Sequence, residues 1–223
     1  MEFTVMKTYS ITNINGVSNY HVGINQIEID PKEIQLKELV ELIEVIQSQH
    51  EDTVLQFFSD KYILNPEHVL HACYFVQKAF YTKSNISNKK NLELLLYLAT
   101  KRQIKLSLEC FGVNSYNLHN KRITYCIISL KDNIQQVNIE INSYLHSKDI
   151  GLNLGNISID KFKIVKKYFE FSDNQVLTVL KAYGFNYDEL YINSLNLESL
   201  YEALTDLICE KMALLSLEKR RSI

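Results

Sequence analysis

Two prolines and six glycines in 223 residues leave the chain almost without turn punctuation. No internal repeat is visible either. The four cysteines, Cys73, Cys110, Cys126 and Cys209, form no CxxC pair. That spacing argues against a disulfide framework or a zinc site and fits reduced, mostly buried thiols in a cytoplasmic protein. No apolar run is long enough to span a bilayer, because Glu93 and Lys101 bracket the best candidate too closely. The first residues, MEFTVMKTYSI, lack a basic stretch followed by an apolar core, so no signal peptide is expected there. Nucleophile-elbow, zincin and zinc-deaminase motifs are missing. GLNLG, residues 151–155, has no Lys-Ser/Thr after its glycines and reads as a loop rather than a phosphate cradle. No catalytic residue, metal site, cofactor or small-molecule substrate is assigned.

What is present is an ordinary globular composition, 46% hydrophobic and 22% charged. The chain carries a net charge of −2, yet from Lys78 to Lys105 seven basic residues stand against one acid, Glu93. That basic middle is either a solvated loop or a local phosphate site.

A strand is expected in residues 17–30, followed by a helix opened by Pro31 and running to 47. TVLQFFSD (53–60) and RITYCIISL (122–130) read as further strands. Asn65-Pro66 is an N-cap followed by a first-turn proline, and Val69, Leu70, Cys73, Val76, Gln77 and Phe80 give the helix one buried face. Leu92 to Ala99 is apolar on nearly every side, so that helix belongs inside the protein. A second helix follows from Gln103 to Phe111, with Gly112 as its C′ residue. Residues 132–147 are helical, and Ser158 is the N-cap of the next helix. One more runs through SDNQVLTVLKAYGF, and the last carries an apolar stripe of Leu200, Leu204, Leu207, Met212 and Leu215. The pattern is α+β: a small antiparallel or mixed sheet flanked by several helices, in one compact domain over 1–223.

His68 and His71, three residues apart, share a helix face and form the nearest approach to a ligand pair. Cys73 points elsewhere, and no third ligand is near in sequence. Two surface or half-buried histidines are the simpler account. An unrecognised enzyme using both with a carboxylate is the competing one.

Several runs taken together resemble the Cgi-type, TPRKB-like small subunit of the KEOPS tRNA-modification complex. The matching residues are His68, Leu70, His71 and Ala72; Glu93 in the apolar helix; Arg102, Gln103, Ile104 and Gly112; and Glu210, Met212, Ala213, Leu214 and Leu215. The Arg-Gln-Ile run points to the archaeal branch. The resemblance departs at an atypical N-terminal segment, about residues 1–30, and at added helical sequence, about 145–195.

The resemblance implies a non-catalytic subunit that binds the kinase-like ATPase of the complex. It also implies recruitment of tRNA through the single-stranded 3′ CCA end, in support of threonylcarbamoyladenosine formation beside the anticodon. Lys83, Lys89, Lys90, Lys101, Arg102 and Gln103 are the expected tRNA contacts, with His68 and His71 on the facing wall and Tyr74 or Tyr81 for stacking. Met212, Leu214 and Leu215 are the expected partner contacts. Structural alternatives stay open for each: Arg102 pairs with Glu93, Gln103 bonds helix carbonyls, and the apolar end of the last helix is covered internally. The functional alternative is a protein scaffold without direct RNA binding.

Overall fold

A computed structural model describes residues 6–12, 17–32, 34–185 and 196–218. In chain order the elements are β1 (Lys7–Ile11), β2 (Tyr20–Glu28), α1 (Leu36–Gln49), β3 (Thr53–Phe58), α2 (Pro66–Tyr81), α3 (Lys90–Ala99), α4 (Ile104–Phe111) and α5 (Ser115–His119). There follow β4 (Arg122–Ser129), α6 (Ile134–Tyr144), β5 (Lys148–Asp149), a single 3-10 turn (Asn153–Gly155), α7 (Ile159–Tyr168), α8 (Asp173–Ala182) and α9 (Leu197–Glu218). The strands form one antiparallel sheet in the order β1-β2-β4-β3, and β5 continues along β2 beyond β1. This is the α+β architecture expected from the sequence.

The central strands are buried on both faces, which is why they read as nearly continuous apolar runs rather than as alternation. Ile27, Leu55, Phe57, Ile123, Tyr125 and Ile127 meet α1 and α6 through Leu39, Leu42, Ile46, Val137 and Ile141. Val22, Ile24, Val54, Phe58, Cys126 and Ile128 face the larger core, built with α2, α3, α7, α8 and α9. Cys73 of α2 and Cys126 of β4 meet there as buried thiols, Sγ to Sγ 3.5 Å.

Local signals place most helix starts. Asn65 accepts from the His68 amide at 2.9 Å, with Pro66 at the first helical position. Ser158 and Ser172 accept from the amides of Lys161 and Gln175, both at 3.2 Å. Two expectations need correction. Pro31 does not open α1: Asp30 Oδ1 accepts from the Lys32 amide at 2.9 Å and forms a turn, and the helix starts at Leu36 behind the capping box of Gln35 and Glu38. Gly112 is not a left-handed C′ residue, since its φ is −68° and its ψ 150°. It is glycine because an added Cβ would lie 2.4 Å from the Leu108 carbonyl oxygen. The edge elements β1 and β5 and the short α5 are further findings of the structure, too short to carry a periodic signal.

Candidate nucleic-acid and partner interface

The question posed by α3 is how a helix buried from Glu93 to Ala99 can end. The last four carbonyls of a helix have no partner within it. Here Thr100 takes a left-handed conformation, φ 49°. The turn sends the Thr100 amide back to the Tyr97 carbonyl at 3.1 Å and the Lys101 amide to that of Leu96 at 3.0 Å. Neighbouring elements complete the cap: His68 Nε2 lies 3.1 Å from the Leu98 oxygen, and the Tyr168 hydroxyl 3.5 Å from that of Ala99. All four carbonyls are therefore satisfied, and the chain leaves the core on a fixed base.

Lys101 is half-buried, and Arg102, Gln103 and Lys105 are exposed on that base. Gln103 is the N-cap of α4, but its side chain makes no capping bond. Its carbonyl accepts from the Ser107 amide at 3.1 Å. Beyond it, Ile104 and Leu108, four residues apart on α4, are 39% and 44% exposed and form a short outward apolar strip beside the cations, while Leu106, 41% exposed, points to another side. Arg102 and Glu93 both act electrostatically on the Tyr97 phenol, which burial holds above its ordinary pKa.

The predicted basic cluster divides between the two ends of α3. That helix has 10 residues, a span of about 15 Å. Lys83 and Lys89 are exposed at its N-terminal end. Lys90 is engaged there: its ammonium donates to Gln77 Oε1 at 3.0 Å and lies 5.5 Å from the Phe80 ring centroid, and burial lowers its pKa. Glu93, fully buried, organises the loop: both its carboxylate oxygens accept from the Ile86 amide at 3.0 Å, and one also from Ser87 at 2.6 Å.

The two histidines part company. His68 is wholly buried, with Nδ1 accepting from the Leu64 amide at 3.3 Å while Nε2 serves Leu98. Burial pushes its pKa down to about 3, so it is a neutral ring that caps α3 from beneath. It offers no surface to an RNA, because both nitrogens are used inside the core. His71 is half-buried and lines a cleft of about 790 Å³ with Glu67, Glu202 and Asp206. Burial lowers its pKa despite the attraction of Asp206 and Glu67. Among the described residues no group of three His, Cys, Asp or Glu is placed to hold a metal. Tyr81 is 62% exposed, whereas Tyr74 packs against Phe75, ring centroids 5.4 Å apart.

On α9, Leu200, Leu204, Leu207 and Ile208 are buried, as are Met212 and Leu215. Those last two hold the helix to the body. Leu214 and Leu217 stand outward at 51% and 52% exposure. Lys211, between them and the core, donates to the Phe169 carbonyl and lies 4.8 Å from the Phe171 ring centroid. Tyr168 and the lysines of α7 were not singled out from sequence. IDKFKIVKKY displays the lysines openly, but only packing puts Tyr168, at the end of their helix, against the α3–α4 turn.

Residues 33–216 match the family model of the kinase binding protein CGI-121. The chain belongs to that family. The match runs from just before α1 almost to the end of α9, so it includes every helix of the interface and leaves β1 and β2 before it. CGI-121 proteins are described by the kinase they bind and not by a reaction of their own. A comparison with curated proteins finds no match to this chain. Among the described residues no helix of this CGI-121 protein is long and apolar enough to cross a membrane.

Proposed function

We propose that this CGI-121 protein is the non-catalytic tRNA-recruiting and kinase-binding subunit of a KEOPS-type complex, cytoplasmic and of the archaeal branch. The kinase-like ATPase docks at the outward side of α9. The single-stranded 3′ CCA end of tRNA is held at the α3–α4 turn, in support of threonylcarbamoyladenosine formation next to the anticodon. The chain works as one unit over 1–223, with 1–30 and 145–195 as its atypical parts. Arg102-Gln103-Ile104 supports the archaeal assignment.

The observation that carries this reading is the satisfied end of α3. Lys101, Arg102 and Gln103 stand on a rigid base beside an exposed apolar strip. A single strand offers phosphates to such cations and unstacked bases to such a strip. A scaffold role without RNA contact is favoured by one specific observation: Lys83, Lys89 and Lys90 lie at the opposite end of α3 from Lys101.

The deciding experiment measures binding of the isolated protein to intact tRNA and to the same tRNA lacking its CCA end. A large loss on trimming supports recruitment through the single strand. Equal binding reduces the turn to generic phosphate attraction, and binding to neither leaves the scaffold role.

A further inference from the structure

The C-terminal end of α7 abuts the α3–α4 turn, because Tyr168 reaches the Ala99 carbonyl at 3.5 Å. Lys163 and Lys167, four residues apart, therefore share one face of α7, and both are exposed. With Lys166, Phe162 and Phe171 they line a cleft of about 410 Å³. Lys166 is already paired with Asp173. Lys163, Lys167 and Lys101 have no ion-pair partner among the described residues.

The cleft joins the turn through Phe171. Its ring lies under the Lys211 ammonium, whose pKa is lowered by burial and by the field of Lys101, against the attraction of Glu170. Cations therefore mark a path from the α3–α4 turn over α9 to α7, with Glu170 and Asp173 as the acids beside it. Phe162 and Phe171 are buried at 1% and 6% exposure, so the α7 face presents no aromatic surface on which a free base could stack. Ile164 is the exposed apolar neighbour. A surface with charge and no stacking platform suits a backbone whose bases are already paired.

We propose that Lys163 and Lys167 bind the phosphate backbone of an RNA duplex, the paired stem that continues from the single-stranded end held at the α3–α4 turn. This rests on the tRNA reading above and gives α7 a role of its own. The contact reads charge and shape, not sequence.

The test uses the full chain and two probes: a stem minihelix with a single-stranded 3′ CCA tail, and the tail alone as an oligonucleotide. Binding is followed by fluorescence anisotropy across a salt series. Each phosphate contact contributes about 0.9 to the slope of log affinity against log salt on a duplex. The wild type is expected to bind the minihelix more tightly, with a slope steeper by close to 2 than for the tail. K163A/K167A should weaken minihelix binding by about tenfold, remove most of that extra slope and leave tail binding unchanged. K163R/K167R should bind as the wild type does. Unchanged circular dichroism shows that the variants fold. Equal minihelix affinity and slope in K163A/K167A and the wild type would overturn the role of α7. A wild type that binds tail and minihelix alike also overturns it, while recruitment through the tail stands. A wild type that binds neither removes both.

Discussion

His68 of α2 donates from Nε2 to the carbonyl oxygen of Leu98 in α3, 3.1 Å away, and accepts the Leu64 amide on Nδ1 at 3.3 Å. That pair of bonds fixes the tautomer: the proton sits on Nε2. One ring thereby ties the start of α2 to the end of the buried helix that carries the basic turn.

The pH dependence follows from the same contact. Burial lowers the pKa of His68 in the folded protein to about 3, against 6.5 for an unhindered histidine. Between those values the unfolded chain takes up a proton that the native state refuses. Stability is therefore complete above about pH 6.5 and falls as the pH drops, by roughly 1.4 kcal/mol per unit. His68→Gln can still donate to Leu98 but cannot titrate. Urea denaturation of both proteins at pH 7.5, 6 and 5 should find the variant less stable at pH 7.5, by about 1–3 kcal/mol, and less acid-sensitive. Parallel acid dependence in the two proteins would refute the assignment.

Glu93 holds the loop before α3 through the amides of Ile86 and Ser87. Removing the carboxylate leaves those amides without an acceptor in a buried place. Glu93→Ala should cost about 2–3 kcal/mol. Its signature is local: hydrogen exchange at Ile86 and Ser87 should rise far more than in α2. Protection unchanged at those two amides would show that the carboxylate does not order the loop.

Gly112 and Gly184 are glycines for different reasons. Gly112 has φ −68°, open to any residue, but its added Cβ would strike the Leu108 carbonyl. Gly184 has φ +93° and open space around it. Gly112→Ala should cost about 1–3 kcal/mol through overpacking and disturb the end of α4. Gly184→Ala should cost about 1 kcal/mol, from conformation alone, and disturb nothing nearby. Thermal melts with amide chemical shifts separate the two. Matching shift changes at both sites would contradict this account.

On α9, neighbours should behave oppositely. Leu214→Glu with Leu217→Glu should fold with stability within about 0.5 kcal/mol of the wild type, since both side chains are solvated. The pair should lose co-purification with the kinase-like ATPase. Leu215→Glu should instead unfold the end of α9, because it puts a charge at a position only 5% exposed. A folded Leu214/Leu217 variant that still captures the ATPase would move the docking surface off this helix.

Much of this molecule is written locally in its residues. Asn65-Pro66, Ser158 and Ser172 set helix starts because a cap bond spans only two or three residues. The apolar wrap of residues 94–99 requires that α3 be buried whatever surrounds it. The presence of Lys101, Arg102 and Gln103 where that run ends is likewise plain in one dimension, as are the residues that resemble the CGI-121 family. Tertiary structure decided the rest. It turned His68 inward and His71 toward an acidic cleft, although they sit three residues apart on one helix. It occupied Lys90 with Gln77, separated two groups of cations by the length of α3, buried Met212 and Leu215, and exposed Leu214. It also brought Tyr168, at the end of the lysine-bearing α7, against Ala99, 69 residues away in sequence. Caps and periodicity act over one helical turn, whereas a side chain's access to solvent depends on which distant element packs over it, and that is settled only when the helices close on the sheet.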